Sequence, residues 1–116
     1  MPYVDGYVIP IPKKNLAAYR RIAQKASKVW KEYGALEFRE CAGDDLAAKG
    51  RFRRLAKLKP GETVVFSWVV YKSKAQRNRA NAKIMKDPRL AAMMTDDSPF
   101  DVKRMAMGGF KVLVDA

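Results

Sequence analysis

Few residues in this chain could carry acid–base chemistry, because it contains no histidine and a single cysteine, Cys41. Without histidine the commonest general base is missing, as is every Ser-His or Cys-His nucleophile pair, so catalysis would fall to carboxylates, tyrosines, lysines or a bound cofactor. A Cys/His zinc site is excluded by the same count, and neither metal nor cofactor is expected. Within the remaining residue types the spacing is informative. Tyr3, Asp5 and Tyr7 recur at steps of two, as do Glu37, Arg39 and Cys41, while Ser67 and Tyr71 lie four apart. In extended backbone such steps place side chains on one face. If the three segments share a sheet face, Asp5, Tyr7, Glu37, Arg39, Ser67 and Tyr71 line a mixed polar and aromatic pocket for a small organic ligand. Asp5, Glu37 and Arg39 would serve proton transfer or ligand anchoring, and Tyr7 and Tyr71 would donate hydrogen bonds. An Arg-Glu pair across a dimer interface accounts for the charged members equally well.

The elements that must position these groups are organised around Glu62 to Ile84. Val64, Val65, Phe66, Trp68, Val69, Val70 and Tyr71 are β-branched or aromatic and predict a strand apolar on both faces, with Ser67 and Tyr71 as polar tips on the second. Such a strand needs two covers, its own helices on one side and the sheet of a second copy on the other; the second copy is expected on the Ser67 and Tyr71 face. Ser73-Lys74-Ala75-Gln76 matches a capping box and starts a helix, which Asp87-Pro88 should interrupt before a short piece from Arg89 to Met94. Upstream, Tyr3 to Ile9 predicts the first strand, ended by Pro10 and Pro12. A helix follows to about Tyr33, with Leu16, Tyr19, Ala23, Ala26, Trp30 and Tyr33 on its apolar stripe and Gly34 as its C-terminal cap. Ala35 to Ala42 predicts the second strand, Gly43 to Arg54 a loop, Leu55 to Leu58 a strand edge, and Lys59-Pro60-Gly61 a turn. Thr95 to Asp101 reads as a loop and Met105 to Val114 as the last strand, with Gly108-Gly109 marking a bulge or a close approach.

The order β-α-β-β-α-β is the split βαβ pattern of ferredoxin-like folds. The expected class is α+β, a four-stranded antiparallel sheet with two helices on one face and the first and third strands central, spanning residues 1–116 as a single domain. The uncovered face implies a homodimer, a dimeric α/β barrel. No apolar run approaches the roughly 20 residues of a membrane span, and the N-terminus lacks signal-peptide features, so a cytoplasmic location is expected and no membrane partner. The net charge of +12 raises RNA binding as an alternative. Its carriers would be Arg20, Arg21, Lys25 and Lys28 on the first helix with Arg77 and Arg79 on the second. The third strand does not match the aromatic pattern of an RNA-recognition motif, and Trp30, Phe66 and Trp68 are expected in the core.

The motifs Tyr3-Val4-Asp5-Gly6-Tyr7-Val8-Ile9-Pro10, Phe66-Ser67-Trp68 with Tyr71-Lys72-Ser73, Asn81 through Asp87-Pro88-Arg89, and Pro99-Phe100-Asp101 with Lys103-Arg104-Met105 and Gly108-Gly109-Phe110 occur in one order along the chain. On these the chain resembles the YbaA-like family of small bacterial proteins of unknown function. The resemblance implies a dimeric α/β-barrel fold and brings no established reaction. It departs from the family pattern at Val102, where glycine is usual, and at Met107, where an aromatic is common. Related barrels include cofactor-independent monooxygenases, a fold-level analogy that adds such an enzyme as a further alternative.

Overall fold

The computed structural model describes residues 1–93 and 98–116. Strand β1 (Tyr3–Pro12) leads through a short 3-10 turn into α1 (Leu16–Glu32), followed by β2 (Glu37–Ala42), α2 (Arg51–Ala56), β3 (Glu62–Tyr71), α3 (Lys74–Met85), α4 (Pro88–Met93) and β4 (Ala106–Lys111). The sheet is antiparallel in the order β2-β3-β1-β4, so the first and third strands are central, as expected. The ends expected at Met94 and Thr95 fall outside the described residues.

Local chemistry sets the joints. Gly34, at φ +109°, closes α1: its N–H donates to the Lys31 carbonyl and that of Ala35 to Trp30, the paired bonds of a Schellman cap. A Cβ at Gly34 would sit 2.7 Å from Gln76 Nε2, so the same glycine lets the start of α3 approach. Ser73 Oγ accepts from the Gln76 N–H at 3.1 Å, and Gln76 Oε1 reaches back to the Lys72 N–H at 3.0 Å. Asp87 plays the equivalent role for α4, accepting from the Arg89 N–H at 2.8 Å with Pro88 in the first turn, where a missing N–H costs nothing.

One sheet face packs on α1, α3 and α4. Val29, Val69, Tyr71, Ala80, Ile84 and Leu90 form one cluster there. Ile9, Ile11, Tyr19, Ala23 and Val65 form the second, and Tyr7 touches both. The opposite face carries Val4, Val8, Phe66, Trp68, Val70 and Phe110 by alternation from the register. There Phe66 and Phe110 are 45% and 57% exposed, and only its Val64 end is closed, with Phe52 of α2 edge-on to Phe66.

Several expectations change. Strand β1 runs through Pro10 to Pro12, because β4 pairing stops at Val8 and a proline there only has to spare the β3 side of the ladder. The segment expected as loop and strand edge contains α2, bounded by extended Gly50 and by Lys57 at φ +55°. Gly108 and Gly109 continue an unbroken register without a bulge; a Cβ on Gly109 would meet Tyr3 Oη and lie 2.6 Å from Arg77 Nη2. Ser67 and Tyr71 face the helices, so the seam expected on their face would lie on the other. Phe66 and Trp68, expected in the core, stand on that uncovered face, while Trp30 packs half-buried against the first cluster.

Candidate functional site

The register brings part of the expected constellation together. Tyr3 opposes Tyr71, Asp5 opposes Val69 and Tyr7 opposes Ser67, so Asp5, Tyr7, Ser67 and Tyr71 share the helix-facing side. Glu37, Arg39 and Cys41 do not join them. They oppose Val70, Trp68 and Phe66 and turn to the uncovered face, where Glu37 accepts from Trp68 Nε1 at 3.0 Å and lies 3.9 Å from Arg39. Alternation sorts β2 into two sets, and only its pairing with β3 decides which set faces the helices. Glu40, from the other set, takes their place opposite Ser67.

A polar row therefore crosses beneath the helices, Tyr7 on β1, Ser67 on β3 and Glu40 on β2, with Asp5 beside Tyr7. Directly opposed side chains in such a row sit about 5 Å apart at Cβ. Asp5 is 0% exposed and neither of its oxygens accepts a hydrogen bond. Its charged neighbour is Arg77 of α3, whose Nε is 3.4 Å from Oδ1. The guanidinium also donates to Tyr3 Oη at 3.1 Å and stacks over the Tyr3 ring. Burial raises the Asp5 pKa, opposed by Arg77 and by the amide of Asn81, one helical turn beyond Arg77. Tyr71 Oη donates weakly to Asn81 Oδ1 at 3.4 Å. The Tyr7 hydroxyl is pushed up to about 12 by burial and by the charges of Asp5 and Glu40, so it stays a neutral donor at physiological pH.

Toward the β2 edge the row opens into a groove of about 390 Å³ between α1 and β2. Leu16, Ala23, Phe38 and Val65 make it apolar, and Arg20, Gln24 and Ser27 form its helical lip. Glu40 is exposed as a residue, but its carboxylate turns inward, Oε2 accepting from Tyr19 Oη at 2.7 Å. Burial raises the Glu40 pKa against the hydroxyls of Tyr19 and Ser67, and burial likewise drives the Tyr19 phenol well above its usual range. Sequence reasoning passed over Glu40, Tyr19, Asn81 and the inward role of Arg77. The usable signal was Glu40 alternating with apolar Phe38, which puts a carboxylate on a core-facing set.

The basic residues divide. Arg20, Arg21, Lys25, Lys28 and Arg79 are exposed, whereas Arg77 is withdrawn to Asp5, and so leaves the surface expected for RNA. Among the described residues no cluster of metal-ligating side chains occurs, and no helix is long and apolar enough to cross a membrane.

Residues 2–102 match the family model described as protein of unknown function, DUF1428. The uncharacterized protein YbaA of Escherichia coli strain K12 is 44% identical over 118 positions, covering 99% of each chain. Among solved structures, a dimeric ferredoxin-like protein from an uncultured marine organism superposes with a TM-score of 0.62 at 13% identity, covering 100% of both chains. A putative antibiotic biosynthesis monooxygenase from Nitrosomonas europaea does so with a TM-score of 0.59 at 12% identity, covering 97% of this chain and 90% of that one. At such identities these two likenesses show the shared ferredoxin-like fold.

Proposed function

The chain belongs to the DUF1428 family of proteins of unknown function, and for it we propose a cytoplasmic homodimer that holds a small organic molecule between α1 and the sheet. The observation that carries the ligand site is the α1–β2 groove, apolar on its walls yet holding an inward-turned carboxylate. Structural carboxylates are ordinarily paired, and the five carboxylates engaged in ion pairs among the described residues illustrate the habit: Asp5, Glu32, Glu37, Glu62 and Asp87 each have an arginine. Glu40 has hydroxyl partners. An apolar slot with one such group orients a ring-sized molecule that brings its own polar end. Tyr7 and Ser67 extend the polar row inward, with Asp5 and Tyr71 deeper under the helices.

The uncovered face supports the dimer: it sets Phe66, Trp68, Val70, Val4 and Phe110 side by side, with the Glu37–Arg39 pair at its rim. A contiguous apolar face of that kind calls for a partner surface of the same chemistry, which a two-fold copy supplies. The RNA reading rests on the exposed ridge of Arg21, Lys25 and Lys28, and the monooxygenase reading on fold kinship; neither has a feature of the groove behind it.

A fragment library titrated against the isotopically labelled protein tests the site by NMR. Fragments should shift amides of α1 and β2, and Ser27→Trp, which plugs the lip from a half-buried position, should weaken them at least about tenfold, a loss of roughly 1.4 kcal/mol. Binding that survives the plug, or shifts confined to other surfaces, removes the groove from consideration. Sedimentation of Phe66→Glu checks the assembly, where a monomer is expected and an unchanged dimer places the interface elsewhere.

A further inference from the structure

We propose that Glu40 is a general base that takes a proton from a carbon acid held in the groove, so that the bound molecule is an enolisable carbonyl compound with an apolar body; this rests on the groove reading above. The chain has no histidine, none of the groove's lining residues is a lysine, and burial drives the Tyr19 phenol well above its usual range, which leaves a carboxylate as the best-suited side-chain base there. Two carboxylates, Asp5 and Glu40, face the helices. Asp5 is sealed from the groove, and Arg77 sits against it and blocks approach. Glu40 lines the groove itself, and none of the ion pairs among the described residues includes it. Its partners are hydroxyls, which hold a carboxylate in place without quenching it as a cation does. Burial also raises its proton affinity towards working pH.

The opposite wall supplies the other half of the chemistry. Arg20 and Gln24 line the helical lip with hydrogen-bond donors across from the carboxylate, whereas the Ser27 hydroxyl is spent on the Gln24 carbonyl at 2.7 Å. A base on one wall and donors on the other is what enolisation requires. The bond between the α-carbon and its hydrogen breaks, the proton goes to Glu40, and the electron pair forms a carbon–carbon double bond as the carbonyl π pair moves onto oxygen. The enolate oxygen rests on the donors of the lip. Glu40 then returns the proton to the oxygen or to a neighbouring conjugated carbon, which restores the carboxylate and leaves a tautomer of the substrate. Neither an electron acceptor nor a second substrate enters the balance. Tyr19 acts as a positioning residue through its 2.7 Å hydrogen bond to Oε2.

Cyclohexanone, 2-indanone and 2-tetralone in deuterium oxide probe the step, with α-deuterium incorporation followed by NMR against protein-free buffer. Incorporation with at least one ketone is expected, falling by about 100-fold or more in Glu40→Gln, the scale of a lost general base. Tyr19→Phe should keep the exchange but move the acid limb of its pH profile upward, because the Tyr19 hydrogen bond holds the Glu40 pKa down; a merely structural role would leave that limb in place. Ketones that shift groove amides without exchanging, or exchange undiminished in Glu40→Gln, overturn the base assignment and leave the groove standing. The groove reading fails separately, on the plugged Ser27→Trp variant.

Discussion

Asp87 and Asp5 are both buried aspartates next to an arginine, and they are built in opposite ways. Around Asp87 every lone pair has a donor: Arg89 Nε and Nη2 at 3.1 and 2.9 Å, the Arg89 N–H at 2.8 Å, and Tyr33 Oη at 2.7 Å. Arg89 then reaches Glu32 through Nη1 and Nη2, tying α4 to the end of α1. These hydrogen bonds, that of Arg89 foremost, hold the Asp87 carboxyl far below the usual carboxylate range. Asp5 has one guanidinium nitrogen at 3.4 Å and no hydrogen bond of good geometry, the nearby Asn81 amide offsetting its burial only in part, and its pKa moves the other way. A charge that is buried and fully hydrogen-bonded fixes a joint, whereas one that is buried and under-satisfied lowers stability. The first belongs to the scaffold. The second sits beside Tyr7, at the inner end of the polar row that runs to the proposed site, where a cost in stability would be the companion of function.

Three substitutions press on this contrast. The largest effect is expected from Gly109→Ala, because the new methyl would occupy the space of Tyr3 Oη and Arg77 Nη2 and displace both from above Asp5. Overpacking of this sort costs about 1–3 kcal/mol, read as a lower urea midpoint at unchanged slope. If stability holds, the slot over Gly109 does not position Arg77, and the reason for the glycine lies elsewhere. A smaller fall is expected from Asp87→Asn, which keeps the shape of the cap but removes the charge that Arg89 and Tyr33 address. Loss of α4 protection in hydrogen exchange should accompany it, and unchanged protection there would deny Asp87 its joint.

How far these features were legible in the sequence depends on their range. Ser73 with Gln76, Gly34 after Tyr33, and Lys59-Pro60-Gly61 act within four residues, and all three appear where their chemistry requires; Gly61, at φ +79°, completes the turn with the Glu62 N–H on the Lys59 carbonyl. Strand order followed from the β-α-β-β-α-β pattern. The facing of β2 did not, since a strand's alternation is blind to its neighbour, and so Glu37 and Arg39 were grouped with Asp5 in place of Glu40. Helix α2 was hidden because Arg51-Phe52-Arg53-Arg54-Leu55-Ala56 has no apolar period, and its Phe52 finds a partner only in Phe66 across the chain. Arg77 reads as one more surface cation in a chain of charge +12. Its inward turn depends on Gly109, thirty-two positions on, making room at the sheet edge.

The smallest expected effect separates the two aspartates most sharply, because the same isosteric change should have the opposite sign. Asp5→Asn removes a buried charge that lacks hydrogen bonds, so at pH 7 it should leave stability unchanged or raise it by up to about 1 kcal/mol, the gain limited by the loss of Arg77's anion. The pH dependence follows from the direction of each shift. Asp5 has a folded pKa above its ordinary 3.8, so the native state binds more protons than the unfolded chain between those values, and its penalty, full at neutral pH, is relieved as pH falls through the folded pKa. The advantage of Asp5→Asn over the parent should therefore shrink on acidification, before the unfolded-state value of 3.8 is reached. Asp87, with a lowered pKa, contributes stability that is complete above 3.8 and lost only below it, so the deficit of Asp87→Asn should persist down to about pH 4 and fade beyond. Urea midpoints from pH 3 to 7 for the parent and both variants measure the two curves together. Parallel curves would mean that the two carboxylates are equally satisfied, and the distinction between a fully hydrogen-bonded and an under-satisfied buried aspartate would fall with them.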